Sequence, residues 1–377
     1  MARSRNLTLS GWISFLTDFS SNMIFPLLPL HLTRVLGAAP TVVGLIEGAA
    51  ETVAAALKLY AGRLSDRLGR RKPMVVIGYA LSAFSKLLFL PAITWLLVLS
   101  ARVIERVGKG IRSAPRDALI ADEVPADQRG AAFGWQRAMD GAGGCLGALT
   151  VWLLIASFDY RELFALALIP ALLAVLLTFG LRETPRLSPL ANHREPAPSE
   201  PLPANVKRAV WACGAFAFGH MSFAFLILAG GDVGLSDERI LLGFALYQLV
   251  YTLLSPLAGR TSDRTGRRPV LLAGYALYAS AMVLLASLGG VWLFAVFALY
   301  GIAEACVDAT QRAWITDQAP RSQRAASLGA YHAAVALVAL PGGIVIGLLW
   351  THFGVAAAAA FALAGTLVAA LRLLAKT

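Results

Sequence analysis

The sequence predicts an all-α integral membrane protein with twelve transmembrane helices, arranged as two parallel-repeat six-helix bundles. Three observations carry this. Hydrophobic residues make up 58% of the 377 and charged residues only 15%, too little polar surface for a soluble domain of that length. Apolar runs of about 20 residues, enough to cross a bilayer as helix, recur along the whole chain. A ten-residue motif then returns 197 positions later, in the same place within a second set of runs.

The first six runs are Leu9–Leu32, Val42–Tyr60, Met74–Pro91, Ile93–Ile111, Gly130–Ala156 and Leu163–Leu181. The second six are Val206–Ala229, Ile240–Leu257, Val270–Leu288, Val291–Thr310, Ala325–Trp350 and Gly354–Leu374. Helix is required because lipid cannot satisfy a free backbone group, and the alternation of barrel strands is absent. The first run is too long for a signal core, so it is expected to remain in the mature protein. Cys145, Cys213 and Cys306 fall inside runs at no metal-ligand spacing and are expected to pack as small apolar groups.

The net charge of +11 is a topology signal. Of the 33 lysines and arginines, 24 fall on one side with both termini, three (Arg34, Arg161 and Arg239) on the other, and six inside runs. By the positive-inside rule both termini are cytoplasmic and the chain is a multi-pass protein of the inner membrane. The apolar runs exclude a soluble nucleic-acid binder.

Arg182–Arg208 is the one long polar stretch, with six prolines between Pro185 and Pro203. It reads as a cytoplasmic linker, centred on residues 183–205, without a core of its own. It separates an N-terminal bundle, residues 1–182, from a C-terminal bundle, residues 206–377. The bundles repeat each other. Gly62-Arg63-Leu64-Ser65-Asp66-Arg67-Leu68-Gly69-Arg70-Arg71 returns as Gly259-Arg260-Thr261-Ser262-Asp263-Arg264-Thr265-Gly266-Arg267-Arg268. Pro73 and Gly78-Tyr79 return 196 later as Pro269 and Gly274-Tyr275, which marks Lys72 as an insertion. Asp122, Pro125, Gln128 and Arg129 return 195 later as Asp317, Pro320, Gln323 and Arg324. Six crossings per unit make the repeats parallel, with a substrate site expected near the midplane between them.

The loop motif between the second and third runs, its second copy, and the six-plus-six architecture resemble the major facilitator superfamily over essentially the whole chain. The stretch Arg102 to Asp117 is similar to a bacterial branch of efflux-type permeases. The resemblance implies a major facilitator fold and secondary transport. It implies no cofactor, and the chain is expected to act as a monomer. In proton-coupled exporters of the family the fifth span carries a glycine-rich motif ending in Gly-Pro. Here Asp140-Gly141-Ala-Gly143-Gly144-Cys145-Leu-Gly147 keeps the glycines and lacks the proline.

A charge at membrane depth costs about 2.5–3.5 kcal/mol, so each needs a partner or a task. Asp18 and Asn22 share a face of the first run, above Pro26 and Pro29, and rough alignment places His220 at the equivalent of Asp18. Glu47 and Glu51 are one turn apart and Lys58 continues their face. Two such carboxylates resist ionising together, which suits binding a proton or holding a divalent cation between them. The plainer readings are a packing carboxyl at Asp18 and a Glu51 satisfied by Lys58, Lys86 or an arginine.

Arg102, Glu105, Lys109, Arg112 and Arg116 form one stripe that no lipid-facing helix tolerates. Arg102 and Glu105 are candidates for the central site, and Arg112 and Arg116 are expected to meet Asp66. Arg137 and Asp140 are spaced as a local pair. Glu304, Asp308 and Arg312 repeat every four residues, with Arg312 expected to neutralise Asp308. Gly62, Asp66, Arg67, Gly69, Arg70, Arg71, Arg112, Asp263 and Arg267 are assigned to a breakable latch that shuts the cytoplasmic side in one state. The plainer reading of the motif's arginines is that they only enforce topology.

The functional expectation is alternating-access transport of a small molecule or cation, with proton-coupled efflux (an antiporter) ahead of proton- or sodium-coupled uptake. The number of acids points towards cationic drugs or metal ions, and the arginine stripe keeps organic anions open. A non-transporting receptor or scaffold on the same fold is the rival from another class, and interior charges in both bundles argue against it. No nucleotide motif, catalytic triad or metal-ligand spacing is present, so an enzyme is not indicated.

The topology is checked by fusion. A reporter active only in the cytoplasm should work after Leu190, and activity instead within Gly230–Arg239 would overturn the assignment.

Overall fold

A computed structural model describes residues 5–68, 70–125, 128–183, 201–287, 292–320 and 323–375. Among the described residues each predicted run falls mainly on helix. The first is α1 (Arg5–Ile24), α2 (Leu27–Leu30) and a π-helical turn (His31–Val35). Next come α3 (Pro40–Leu68), α4 (Lys72–Phe89), α5 (Trp95–Glu123), α6 (Arg129–Leu154) and α7 (Tyr160–Phe179). The seventh run divides into α8 (Ala204–Gly219) and α9 (Phe223–Asp232). The rest are α10 (Asp237–Thr265), α11 (Arg267–Ser287), α12 (Leu293–Gln318) and α13 (Arg324–Leu374).

Among the described residues eight segments are long and apolar enough to cross a membrane, against the twelve crossings expected. α1, α5 and α6 fall outside that criterion, α5 because of its charged stripe. α13 joins the eleventh and twelfth runs through Gly354, whose φ of 82° and ψ of 179° suit glycine.

Local chemistry explains several ends. Asp159 caps α7, accepting from the Glu162 amide at 2.8 Å, while Glu162 accepts from the Asp159 amide at 2.9 Å. The break between α1 and α2 falls at Phe25–Pro26, where proline brings no N–H. The matching break, at His220–Ser222, is closed by side chains. The Met221 amide donates to Tyr278 Oη at 2.8 Å and Tyr300 donates to the Met221 carbonyl at 3.0 Å. In a medium without water, those two tyrosines replace the missing helical partners. His220 stands at this break, whereas Asp18 lies within α1, seven residues before Phe25, so the alignment of the two is corrected.

α1 packs on α6 and α7, α4 on α5 and α7, and α3 on α5. In the second group α8 packs on α13, α10 on α12, and α11 on α12 and α13. Small residues bring backbones together. Any Cβ at Gly143 or Gly147 would strike the Phe15 or Phe19 carbonyl of α1. The glycine-rich stretch of α6 is therefore a packing surface.

The groups meet chiefly where α3 packs on α13 and α6 on α10, with smaller contacts of α9 to α2 and α3. On α3 the cross-group hydrogen bonds lie between Thr41 and Thr52. Thr41 Oγ1 is 2.9 Å from Thr351 Oγ1, and Thr52 donates to the Ala336 carbonyl at 2.9 Å. Between them any Cβ at Gly44 would meet the Gly343 carbonyl, and one at Gly48 the Ala339 carbonyl at 2.8 Å. At the same end Arg34 bonds the Asp237 carboxylate and donates to the Leu235 carbonyl at 2.8 Å, and Tyr160 also donates to Asp237.

α6 shows where the groups part. Gly130, Gly134, Arg137, Gly141 and Gly144 share one face. Gly141 and Gly144 abut Thr252 and Gln248 of α10, whereas Gly130 and Gly134 have nothing within 4 Å. The groups thus touch at the end remote from the termini and diverge towards the end that carries them, leaving a cleft between.

A Thr41→Cys/Thr351→Cys pair should cross-link readily. Asp237→Asn removes an exposed ion pair worth about 0.2–1 kcal/mol, so the yield should fall by up to about fivefold. Gly44→Val should abolish it, and wild-type cross-linking in that variant would refute the glycine contact.

Candidate functional site

The cleft is lined by the charged face of α3, α5 and α6 on one side and by an aromatic face of α10, α12 and α13 on the other. The deepest charge is Arg102 on α5, 0% exposed. Its guanidinium meets Glu47 of α3 with two bonds, 3.2 Å from Nε and 3.1 Å from Nη2, and lies 3.7 Å over the Phe25 ring at the break in the first run. Glu105 lies 3.5 Å from both Arg102 and Arg106. Glu47 is therefore occupied, and the expected site for a proton or divalent cation between Glu47 and Glu51 does not form. Glu51 is exposed on the cleft face, and its carboxylate has no hydrogen bond or ion pair among the described residues.

Asp18 is half-buried on α1. Asn22 donates to its backbone carbonyl at 2.9 Å, while its carboxylate makes no described hydrogen bond or ion pair. The charged groups that act on it most strongly are Asp140 of α6 and Lys109, Arg112 and Arg116 of α5. Asp140 lies 3.8 Å from Arg137 and 3.9 Å from Arg116, and Gln136 donates to it at 3.3 Å. The expected Arg137–Asp140 pair is present, with Arg137 itself 65% exposed to the cleft.

In the second group His220 Nε2 is 2.8 Å from Glu304 and 3.2 Å from Tyr300 Oη. Arg312 pairs with Asp308 at 2.7 Å, as expected, and Tyr251 donates to the same carboxylate at 3.2 Å. Tyr247 packs between Tyr251 and Tyr300, with centroids at 6.2 and 5.4 Å.

Of the latch residues, the side chains of Gly62, Asp66 and Arg67, and the whole of Gly69, lie outside the described residues. The expected contacts of Arg112 and Arg116 with Asp66 lie there too. Arg112 bonds Ser82 and covers the Tyr79 ring at 4.5 Å. Arg70 is exposed. Arg71 pairs with Asp122 at 3.2 Å, and the amides of Arg71 and Lys72 donate to Glu183 at 2.7 and 2.9 Å. In the second copy Arg267 bonds Asp263 and meets Asp317 at 2.8 Å. Since Asp122 and Asp317 correspond, Arg71 matches Arg267. The inserted residue is thus Arg70, and the earlier placement at Lys72 is corrected.

Three features escaped sequence reasoning. Lys86, 1% exposed, donates to Ser20 and, at 3.2 Å, to Ser21, so it joins α4 to α1 and is no partner of Glu51. Lys58 and Lys109 face the cleft with no described hydrogen bond or ion pair from their ammonium groups. The tyrosine wall had a signal in the i, i+4 spacing of Tyr247 and Tyr251. No group of three His, Cys, Asp or Glu among the described residues has metal-binding geometry.

The sequence profile of the Major Facilitator Superfamily matches residues 11–236 and 210–377. An uncharacterized MFS-type transporter of Methanocaldococcus jannaschii is 33% identical over 362 residues, 92% of this chain and 89% of that relative. The multidrug resistance protein MdtH of Photorhabdus laumondii is 34% identical over 143 residues, 37% of this chain and 34% of its own. A D-xylose-proton symporter crystal structure superposes with a TM-score of 0.77 at 18% identity, covering 98% of this chain and 96% of that one, a likeness of fold alone.

Glu47→Gln leaves Arg102 with only the longer Glu105 contact in a dry site. Loss of a buried partner of this kind costs about 3 kcal/mol or more, which a lowered midpoint of unfolding in detergent should report.

Proposed function

Because the chain belongs to the major facilitator superfamily, a family of membrane transporters, we propose that it exports a small molecule across the inner membrane in exchange for protons. Both termini are cytoplasmic in this reading, and a single chain suffices. Two halves, residues 1–182 and 206–377, rock about the linker 183–205 so that the central cleft faces each side in turn. The segment from Gly62 to Arg71, which ends α3 and carries Asp66, is the latch of the state opposite to this one.

The observation that carries the coupling is Asp18. Every other cleft acid except Glu51 has a basic partner within 4.0 Å, and Glu51 has Arg106, Lys58 and Lys109 as its strongest charged neighbours. Asp18 is instead half-buried, and its carboxylate meets no base within 4.0 Å among the described residues. A half-buried carboxyl without a bonded cation is the group best suited to take up and release a proton. The multidrug resistance relative supports export as the direction.

Uptake with protons is the second reading, favoured by Lys109, which is influenced by Asp18 as well as by Arg106 and Lys58. An anion bound there and a proton on Asp18 would stabilise each other, as co-transport requires.

Proteoliposomes separate these readings. Asp18→Asn should abolish accumulation driven by a pH gradient and retain exchange of substrate down its own gradient. Retention of pH-driven accumulation would refute Asp18 as the coupling acid. The sign of the gradient that drives accumulation in the wild type decides between export and uptake. Absence of any exchange would favour the receptor or scaffold.

A further inference from the structure

We propose that Glu51 and Arg106, with Lys58 and Lys109 beside them, form the seat for an oxyanion, such as a carboxylate, of a small organic substrate with an aromatic body. The inference rests on the reading of the chain as a transporter and is independent of its direction.

The geometry begins with two helices that run the same way, side by side. α3 and α5 are tied at Glu47 and Arg102 by the bonds of 3.2 and 3.1 Å. Further along, any Cβ on Gly110 would lie 2.5 Å from Leu57 Cβ, so the helices remain in contact. One turn beyond the tie, helical register brings Glu51 and Arg106 opposite each other. They should close a second rung like the first. They do not, because no hydrogen bond or ion pair within 4.0 Å joins them among the described residues.

Arg106 leans to Glu105 at 3.5 Å, and its buried Nε makes no hydrogen bond. Lys58, one turn before Gly62, and Lys109, adjacent to the Gly110 contact, carry ammonium groups with no hydrogen bond or ion pair among the described residues. Three cations thus share two adjoining helices with one acid; Glu51 is exposed and Lys58, Arg106 and Lys109 are partly so.

Charge decides the ligand class. Five of the acids that favoured a cationic substrate are taken, since Glu47, Glu105, Asp140, Glu304 and Asp308 each have a basic partner within 4.0 Å, and Asp18 is assigned to the proton. A cation entering the open rung meets Glu51 and three like charges. An oxyanion meets three donors, two of them without any other bond, and charge-assisted hydrogen bonds of this kind are the strong ones. Opposite stand Tyr247 and Tyr251, with Tyr331 and His332 of α13, whose ring centroids lie 5.1 Å apart, and the buried Tyr300 packs behind Tyr247. The four partly exposed rings offer faces to an apolar or aromatic body.

The test is a thermal-shift titration of the purified full chain with benzoate, phenylacetate and phenylphosphonate, matched by benzamide and benzylamine. The anions should stabilise the wild type and the amide and amine should not. Lys109→Gln and Lys58→Gln should each weaken anion binding by about tenfold or more, the loss of one charge-assisted hydrogen bond. Lys109→Arg should recover most of it. Both glutamine variants are compared only if their unliganded midpoints match the wild type, so that a folding defect in one leaves the other to decide. Stabilisation by benzylamine alone, by none of the five, or equally in wild type and both variants overturns the proposal.

Counterflow of a stabilising anion in proteoliposomes keeps the two readings apart. Binding without counterflow counts against transport and leaves the seat standing. Counterflow of benzylamine with inert anions overturns the seat and leaves transport standing.

Discussion

A charged side chain inside a membrane has to be met by its opposite, and Arg102 is where this chain meets that demand most completely. Its guanidinium is shared between Glu47 and Glu105 and roofed by Phe25, so one residue binds α3 and α5 to the break that ends α1. Removing water from such a pair costs several kcal/mol per ion, and only near-complete satisfaction repays it. The rest of the first helix group follows from this anchor. It sets the register of α3 against α5, hence which of their later charges face each other and which face the cleft.

The second group meets the same problem with different chemistry. Where the first group holds its broken helix beneath an arginine, the second holds Met221 with the hydroxyls of Tyr278 and Tyr300 and lets His220 meet Glu304. Ring packing among Tyr247, Tyr251, Tyr278 and Tyr300 fixes those hydroxyls. The repeat is therefore one of backbone and not of side chains. One wall of the cleft is ionic and the other aromatic, an asymmetry that favours a ligand with two unlike ends.

Much of the fold was legible in sequence because its causes are local or periodic. Apolar runs declare the helices, and the recurring loop motif declares the duplication. The pairs Arg137–Asp140 and Asp308–Arg312 are set by spacing on one helix. What could not be read depends on which helix stands beside which. That Glu47 is taken by Arg102 while Glu51 is not requires the register of α3 on α5. That Lys86 serves Ser20 and Ser21 requires α4 to pack near α1. The offset between His220 and Asp18, and the true insertion at Arg70, appear only when the breaks and ion pairs are superposed, because shifts of a residue or two are invisible in a short motif.

The seam between α3 and α13 has a kinetic consequence. At Gly44, Gly48 and Gly343 it is bare backbone against bare backbone, with few side chains interdigitated. Parting such a surface requires almost no rotamer to change and leaves no side-chain cavity to fill. The barrier to parting it then lies mainly in wetting a short row of carbonyls and breaking the cross-group bonds of Thr41, Thr52, Arg34 and Tyr160. A single added methyl at these stations does more than loosen the seam: it leaves the two backbones no distance at which they can close, because the carbonyl opposite stands where the methyl must go.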